Sequence, residues 1–137
     1  MCGIIGINSN KPVSATIVNS LKKLEYRGYD SAGIATLSSG LINEIKSEGR
    51  VDNLEKNSLV QNMEGTIGIG HVRWATHGSP NSINAHPHSS QNVSVVHNGI
   101  IENSTLLKKM LVSKGHKFKS QTAVSYTHLR AHETFAN

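Results

Sequence analysis

The 137-residue chain holds one cysteine, three prolines and only two Phe, three Tyr and one Trp. A single thiol has no intramolecular partner, so a disulfide framework is excluded and a reducing compartment is expected. Long apolar runs are missing as well. The longest, glycines included, is Cys2 to Ile7, far short of the roughly 18 residues a membrane helix needs. No basic region precedes that run, and Asn8, Asn10 and Lys11 follow it at once, so no secretory signal fits. The expected location is cytoplasmic, with no membrane partner. With 36% hydrophobic and 17% charged residues, the composition is neither disordered nor collagen-like. An acidic excess is absent too: the net charge is +5. Lys108, Lys109, Lys114, Lys117 and Lys119, with no acid between residues 104 and 121, account for all of it. No nucleic-acid-binding motif accompanies these lysines, so they read as a solvated helix face and no nucleic-acid partner is expected.

What is present is one domain's worth of alternating elements, without internal repeats. Residues 2–7 read as a buried strand and 8–12 as a turn. Ile17, Val18, Leu21 and Leu24 recur at helical spacing after Ser14, a helix that Gly28 stops. Two strands, 31–37 and 41–47, flank Ser38-Ser39-Gly40. A mixed stretch near 49–64 is expected to hold a short helix, and 66–72 another strand. A long polar loop, 74–91, follows; such loops in compact domains are often functional. Residues 92–97 read as a strand ending in the turn signal Asn98-Gly99, and a last helix is expected at about 103–114, closed by Gly115. Strands with helices at both ends predict a layered α+β domain.

Several familiar site chemistries are missing. Gly68-Ile69-Gly70 lacks the third glycine of a dinucleotide fingerprint, and no phosphate-binding loop motif occurs. Eight histidines, with His86 and His88 alternating and His71, His77 and His97 nearby, raise a metal site. Their spacing does not match the usual zinc ligand sets, and loop hydrogen bonding accounts for them better. Cys2 is more informative. If Met1 is removed, residue 2 carries a thiol of pKa about 8.5 and an α-amine of about 7.7–8.0, a nucleophile with its own general base. Asn98-Gly99 could supply a side-chain amide and a backbone N–H to an oxyanion. Arg73, where a strand enters the long loop, could grip a carboxylate with both prongs of its guanidinium. Each feature alone has a plainer reading: a small terminal cysteine, an ordinary turn, a surface ion pair.

Together they fall within five ordered segments: Met1-Cys-Gly-Ile-Ile-Gly6, Leu24-Glu-Tyr-Arg-Gly-Tyr-Asp-Ser-Ala-Gly33, His71-Val-Arg-Trp-Ala-Thr-His-Gly78, Asn84-Ala-His-Pro-His88 and Val96-His-Asn-Gly-Ile-Ile-Glu-Asn103. These resemble the N-terminal glutaminase domain of the glutamine–fructose-6-phosphate aminotransferase (isomerizing) family, a class II glutamine amidotransferase, over residues 1–122. The resemblance implies a four-layer αββα N-terminal-nucleophile hydrolase fold, here truncated. It implies that Cys2 attacks the glutamine side-chain amide and forms a glutamyl thioester that water hydrolyses. By the same resemblance Asn98 and Gly99 form the oxyanion hole, and Arg73 holds the glutamine α-carboxylate. Thr76 and His77 complete that closing loop, Trp74 gates ammonia, and Arg27 and His86 order the site. The implied substrates are L-glutamine and, through a sugar-isomerase half that this chain does not contain, fructose 6-phosphate. No metal or organic cofactor is implied, and the full-length parent would be a homo-oligomer.

The resemblance departs at residue 123. The family usually reads Ser-Glu-Thr-Asp-Thr-Glu, with the Asp holding the α-ammonium of glutamine; this chain reads Ser120-Gln-Thr-Ala123-Val-Ser125. Residues 123–137 have no family likeness and read as a tail of different origin, of the kind a broken reading frame leaves. A shortened layer is expected to leave strand edges and apolar faces uncovered. An inactive fragment, or a module that binds glutamine without hydrolysing it, is the alternative that Ala123 keeps open.

Overall fold

A computed structural model describes residues 1–76, 78–90, 92–118 and 120 of the chain. Its centre is an antiparallel four-stranded sheet in the order β1-β4-β2-β3, with β1 at Gly3–Asn8, β2 at Ser31–Ser38, β3 at Leu41–Glu48 and β4 at Ile67–Arg73. Ser39 and Gly40, both at positive φ, close the β2–β3 hairpin. The alternation of a strand sorts β4 onto two faces. Gly68, Gly70 and Val72 point one way, and Ile67, Ile69, His71 and Arg73 the other.

The first face is covered by α1 (Ser14–Leu24), with the short helices α2 (Val51–Glu55) and α3 (Ser58–Gln61) beside it. Ile17 and Leu21 of α1 are fully buried against Ile34 and Val72, and Val51, Leu54 and Val60 extend the same core. The glycines of β4 let α1 lie this close: a Cβ at Gly70 would sit 2.5 Å from Ile17 Cγ2. Ser14 does not cap the helix through its side chain; its hydroxyl donates to the Met63 carbonyl and ties α1 to the segment entering β4.

A small second sheet lies on the opposite face. It pairs β5 (His88–Ser89) with β6 (Ser94–Val95). Ser89 Oγ donates to Glu44 of β3 and is bonded to Ser94 Oγ, while Lys46 Nζ lies 3.1 Å from Glu44 and 3.5 Å from His88 Nδ1. This polar lock joins the two sheets. The last helix, α4, spans Ser104–Ser113.

Three expectations shift. The first helix ends at Leu24 and continues as a 3-10 turn, Glu25–Arg27, before Gly28 stops it. The 49–64 stretch holds two short helices instead of one. The strand expected at 92–97 shortens to Ser94–Val95, because its partner inside the polar loop is itself only two residues long. Residues 121–137, including Ala123, lie outside the described residues.

Candidate functional site

Three stretches of chain converge on Cys2. The first is the start of β1. A Cβ at Gly3 would meet Val72 Cγ2 at 2.9 Å and Leu24 Cβ at 3.0 Å, so the N-terminus is pressed between β4 and the end of α1. The second is the exit of β4. The Cys2 Sγ accepts from the Trp74 N–H at 3.2 Å, and the thiol lies 3.6 Å from the Trp74 carbonyl. The third is the Asn98-Gly99 turn, whose Asn98 Nδ2 donates to the Cys2 carbonyl at 3.0 Å.

The 3-10 turn adds a fourth anchor. Gly28 presses so closely on the end of β4 that a Cβ there would lie 2.5 Å from the Arg73 carbonyl carbon and 2.7 Å from the Trp74 nitrogen. Only a residue without a side chain fits, and this approach brings Arg27 Nε within 3.3 Å of the Cys2 carbonyl. The same oxygen thus accepts from both Arg27 and Asn98. Asp30 steadies the other side of the β4 exit: its N–H donates to the Arg73 carbonyl, and its Oδ2 accepts from the Ala75 N–H at 2.6 Å.

Arg73 is 4% exposed, and burial pushes its guanidinium below its ordinary range, with Cys2 and Asp30 opposing that shift. Its Nη1 donates to the Ser79 carbonyl at 2.9 Å and Nη2 reaches the Gly78 carbonyl at 3.4 Å. The guanidinium therefore folds its own loop back on itself instead of standing free at the surface. Trp74 is half exposed and meets Tyr29 edge-on, ring centroids 5.8 Å apart. Thr76 and Gly99 are exposed, and His77 lies outside the described residues.

Behind Cys2, on the face of the sheet away from α1, three imidazoles pack together. His71 stacks on His86 with centroids 4.5 Å apart and planes 19° from parallel, and His86 lies 4.7 Å from His88. His86 does not reach Cys2. Its Nδ1 accepts from the His97 N–H at 3.3 Å, so it supports the segment that delivers Asn98. His71, weighed in the sequence only as a possible metal ligand, and Asp30, not weighed individually, touch the site directly: His71 Nε2 is 2.9 Å from Asn98 Oδ1. A signal for His71 was available, since strand alternation puts it on the same face as Arg73. Among the described residues no helix is long and apolar enough to cross a membrane.

No protein-family model matches the chain. Curated relatives do. The glutamine–fructose-6-phosphate aminotransferase (isomerizing) of Mesorhizobium japonicum is 53% identical over 134 residues, 97% of this chain and 22% of the relative. The protein of the same name from Clostridium acetobutylicum is 58% identical over 125 residues, 89% of this chain and 20% of the relative. The chain thus spans about a fifth of the length of the curated relatives it matches. Among solved structures, the glutamine phosphoribosylpyrophosphate amidotransferase from B. subtilis, complexed with ADP and GMP, superposes with a TM-score of 0.75 at 28% identity, over 92% of this chain and 28% of that one. A structure described as the allosteric regulatory enzyme of purine biosynthesis gives 0.76 at 29% identity, over 88% and 27%. The sheet-and-helix architecture is accordingly that of N-terminal-nucleophile glutamine amidotransferases. From the identity to its relatives and the shared fold, the chain belongs to the class II glutamine amidotransferases and matches the glutamine amidotransferase region of the glutamine–fructose-6-phosphate aminotransferase (isomerizing) family.

Proposed function

We propose that the chain carries the glutamine-hydrolysing site of such an aminotransferase, with Cys2 as its nucleophile. The observation that carries this reading is the meeting of Cys2 with Asn98 across 96 residues of chain. A thiol beside an amide donor is what acyl transfer requires. With Met1 removed, the α-amine takes the thiol proton as Sγ attacks the amide carbon of glutamine. Asn98 Nδ2 and the Gly99 N–H then receive the developing oxyanion. Collapse breaks the C–N bond, the ammonium returns its proton to the leaving nitrogen, and ammonia departs. Water next attacks the thioester, releasing glutamate and restoring the thiol.

The geometry supports supporting roles for the other residues. Arg27 steadies the Cys2 carbonyl, while Arg73 holds the loop that Trp74, Thr76 and His77 belong to and presents a cation to the substrate carboxylate. His86 orders the site from behind. Residues 1–122 form the glutaminase part in this reading, with 123–137 outside it. In a protein of the relatives' full length the ammonia would aminate fructose 6-phosphate, giving glucosamine 6-phosphate.

The test is glutamate release from L-glutamine by the 137-residue chain and by Cys2→Ala. The expected outcome is release that falls about a thousandfold or more in the variant. Equal rates in the two proteins would remove Cys2 from the chemistry.

A further inference from the structure

We propose that His71 is a positioning residue for glutamine hydrolysis: its Nε2–H donates to Asn98 Oδ1 and so locks the side-chain amide with its NH2 group turned toward Cys2. This rests on the reading of Cys2 and Asn98 given above. The two ends of an asparagine amide are nearly the same shape, and only the nitrogen end can donate to an oxyanion. Asn98 is exposed, so packing alone does not choose between the two orientations. Two contacts choose. Nδ2 lies 3.0 Å from the Cys2 carbonyl, which can only accept, and Oδ1 lies 2.9 Å from His71 Nε2. A flipped amide would set its oxygen against the Cys2 oxygen. With Oδ1 facing His71, Nε2 must carry the hydrogen. One Nδ2 hydrogen is then spent on Cys2, and the second is left to meet a reacting oxygen.

The imidazole is built to hold still. His71 is 1% exposed in the middle of β4, opposite Ile4 of β1 and Gly33 of β2. The stacked ring of His86 covers its face, and His86 also takes the N–H of His97, the residue next to Asn98. Ring and incoming backbone are therefore fixed together. The His71 Nδ1 is buried without a hydrogen-bond partner among the described residues, which suits a bare lone pair and places the single proton on Nε2. Burial pushes the His71 pKa down to about 4, so the ring stays neutral at the pH of glutamine hydrolysis.

The experiment compares His71→Phe, which keeps a flat ring for the stack but no donor, with His71→Gln, whose side-chain NH2 can replace Nε2–H. Both are also made in an Asn98→Ala background. The expected result is a kcat for glutamate release down about 30-fold or more in His71→Phe, with KM for glutamine within about threefold. His71→Gln should recover most of the loss, and His71→Phe should cost no more than about twofold once Asn98 is alanine. Multiplying losses in the Asn98→Ala background, or no recovery in His71→Gln, would overturn the proposal. Cys2→Ala, run alongside, separates the two ideas: activity surviving there contradicts the nucleophile itself, whatever His71 does. A readout independent of activity is the imidazole nitrogen NMR spectrum at neutral pH. The proposal requires the Nε2–H tautomer at His71, and the Nδ1–H tautomer would overturn it.

Discussion

Two imidazoles held neutral inside the protein give it a specific response to acid. The pKa of His71 is driven down to about 4 by burial first, with Arg73 and His97 adding to that and the Asn98 hydrogen bond opposing it. His86 is pushed down further by burial, and then by His71, His88, Arg73 and Lys46. Unfolded, a histidine titrates near 6.5. Between that value and the folded one, the unfolded chain binds protons that the folded chain refuses, so stability is lost as pH falls from about 6.5 toward 4. His71 alone would forfeit about 2 kcal/mol by pH 5. Urea unfolding should therefore show a lower midpoint at pH 5 than at pH 7, and the difference should shrink in His71→Phe; equal midpoints for the unaltered chain would contradict the burial of these rings as neutral groups. Residue-scale chemistry was unevenly legible in the sequence. Cys2, Asn98 and Gly99 carry recognisable signatures, and the structure brings Cys2 and Asn98 together. The acceptors of Arg73 are backbone carbonyls of Gly78 and Ser79, which leave no mark in a sequence. Strand alternation puts His71 on the face of Arg73, but its partner is an amide 27 residues away, and no local pattern joins the two.

At the scale of elements, the seam between α1 and the sheet carries the fold. Ile17 is fully buried over the glycines of β4, where an added Cβ would lie 2.7 Å from its Cδ1 at Gly68 and 2.5 Å from its Cγ2 at Gly70. Ile17→Ala should lower the unfolding free energy by about 2–5 kcal/mol, read by chemical denaturation; a loss below about 1 kcal/mol would show that the seam relaxes. This seam was readable in advance because apolar periodicity and strand alternation are local properties. The first helix, the β2–β3 hairpin and β4 emerge close to their expected bounds for that reason. The second sheet was not readable. Its two strands have two residues each and are fixed by tertiary contacts, Ser89 on Glu44 and Lys46 by His88, which periodicity does not contain. Gly28 does end the helical segment, as expected, but the tightening of its last turn into the 3-10 form that carries Arg27 toward Cys2 has no local signal.

At the scale of the molecule, the two faces of the sheet are treated differently. Helices seal one face. On the other, Ile4, Leu37 and Ile67 stay exposed, and a groove of about 170 Å³ runs beside Ala35, Ile42 and Ile69 up to Asn92 and Ser94. The site itself is assembled at this scale: the N-terminus, the exit of β4 and the turn after β6 are distant in sequence and meet only because β1 and β4 are neighbours. On the proposed reading, this meeting makes Cys2 a nucleophile toward glutamine. Intact-mass spectrometry of the chain, acid-quenched during incubation with L-glutamine, tests it most directly. The expected result is a chain without Met1 that carries a transient glutamyl adduct mapping to Cys2 and absent from Cys2→Ala. Glutamate released while Cys2 never becomes acylated, or no release at all from a chain with Met1 removed, would contradict it.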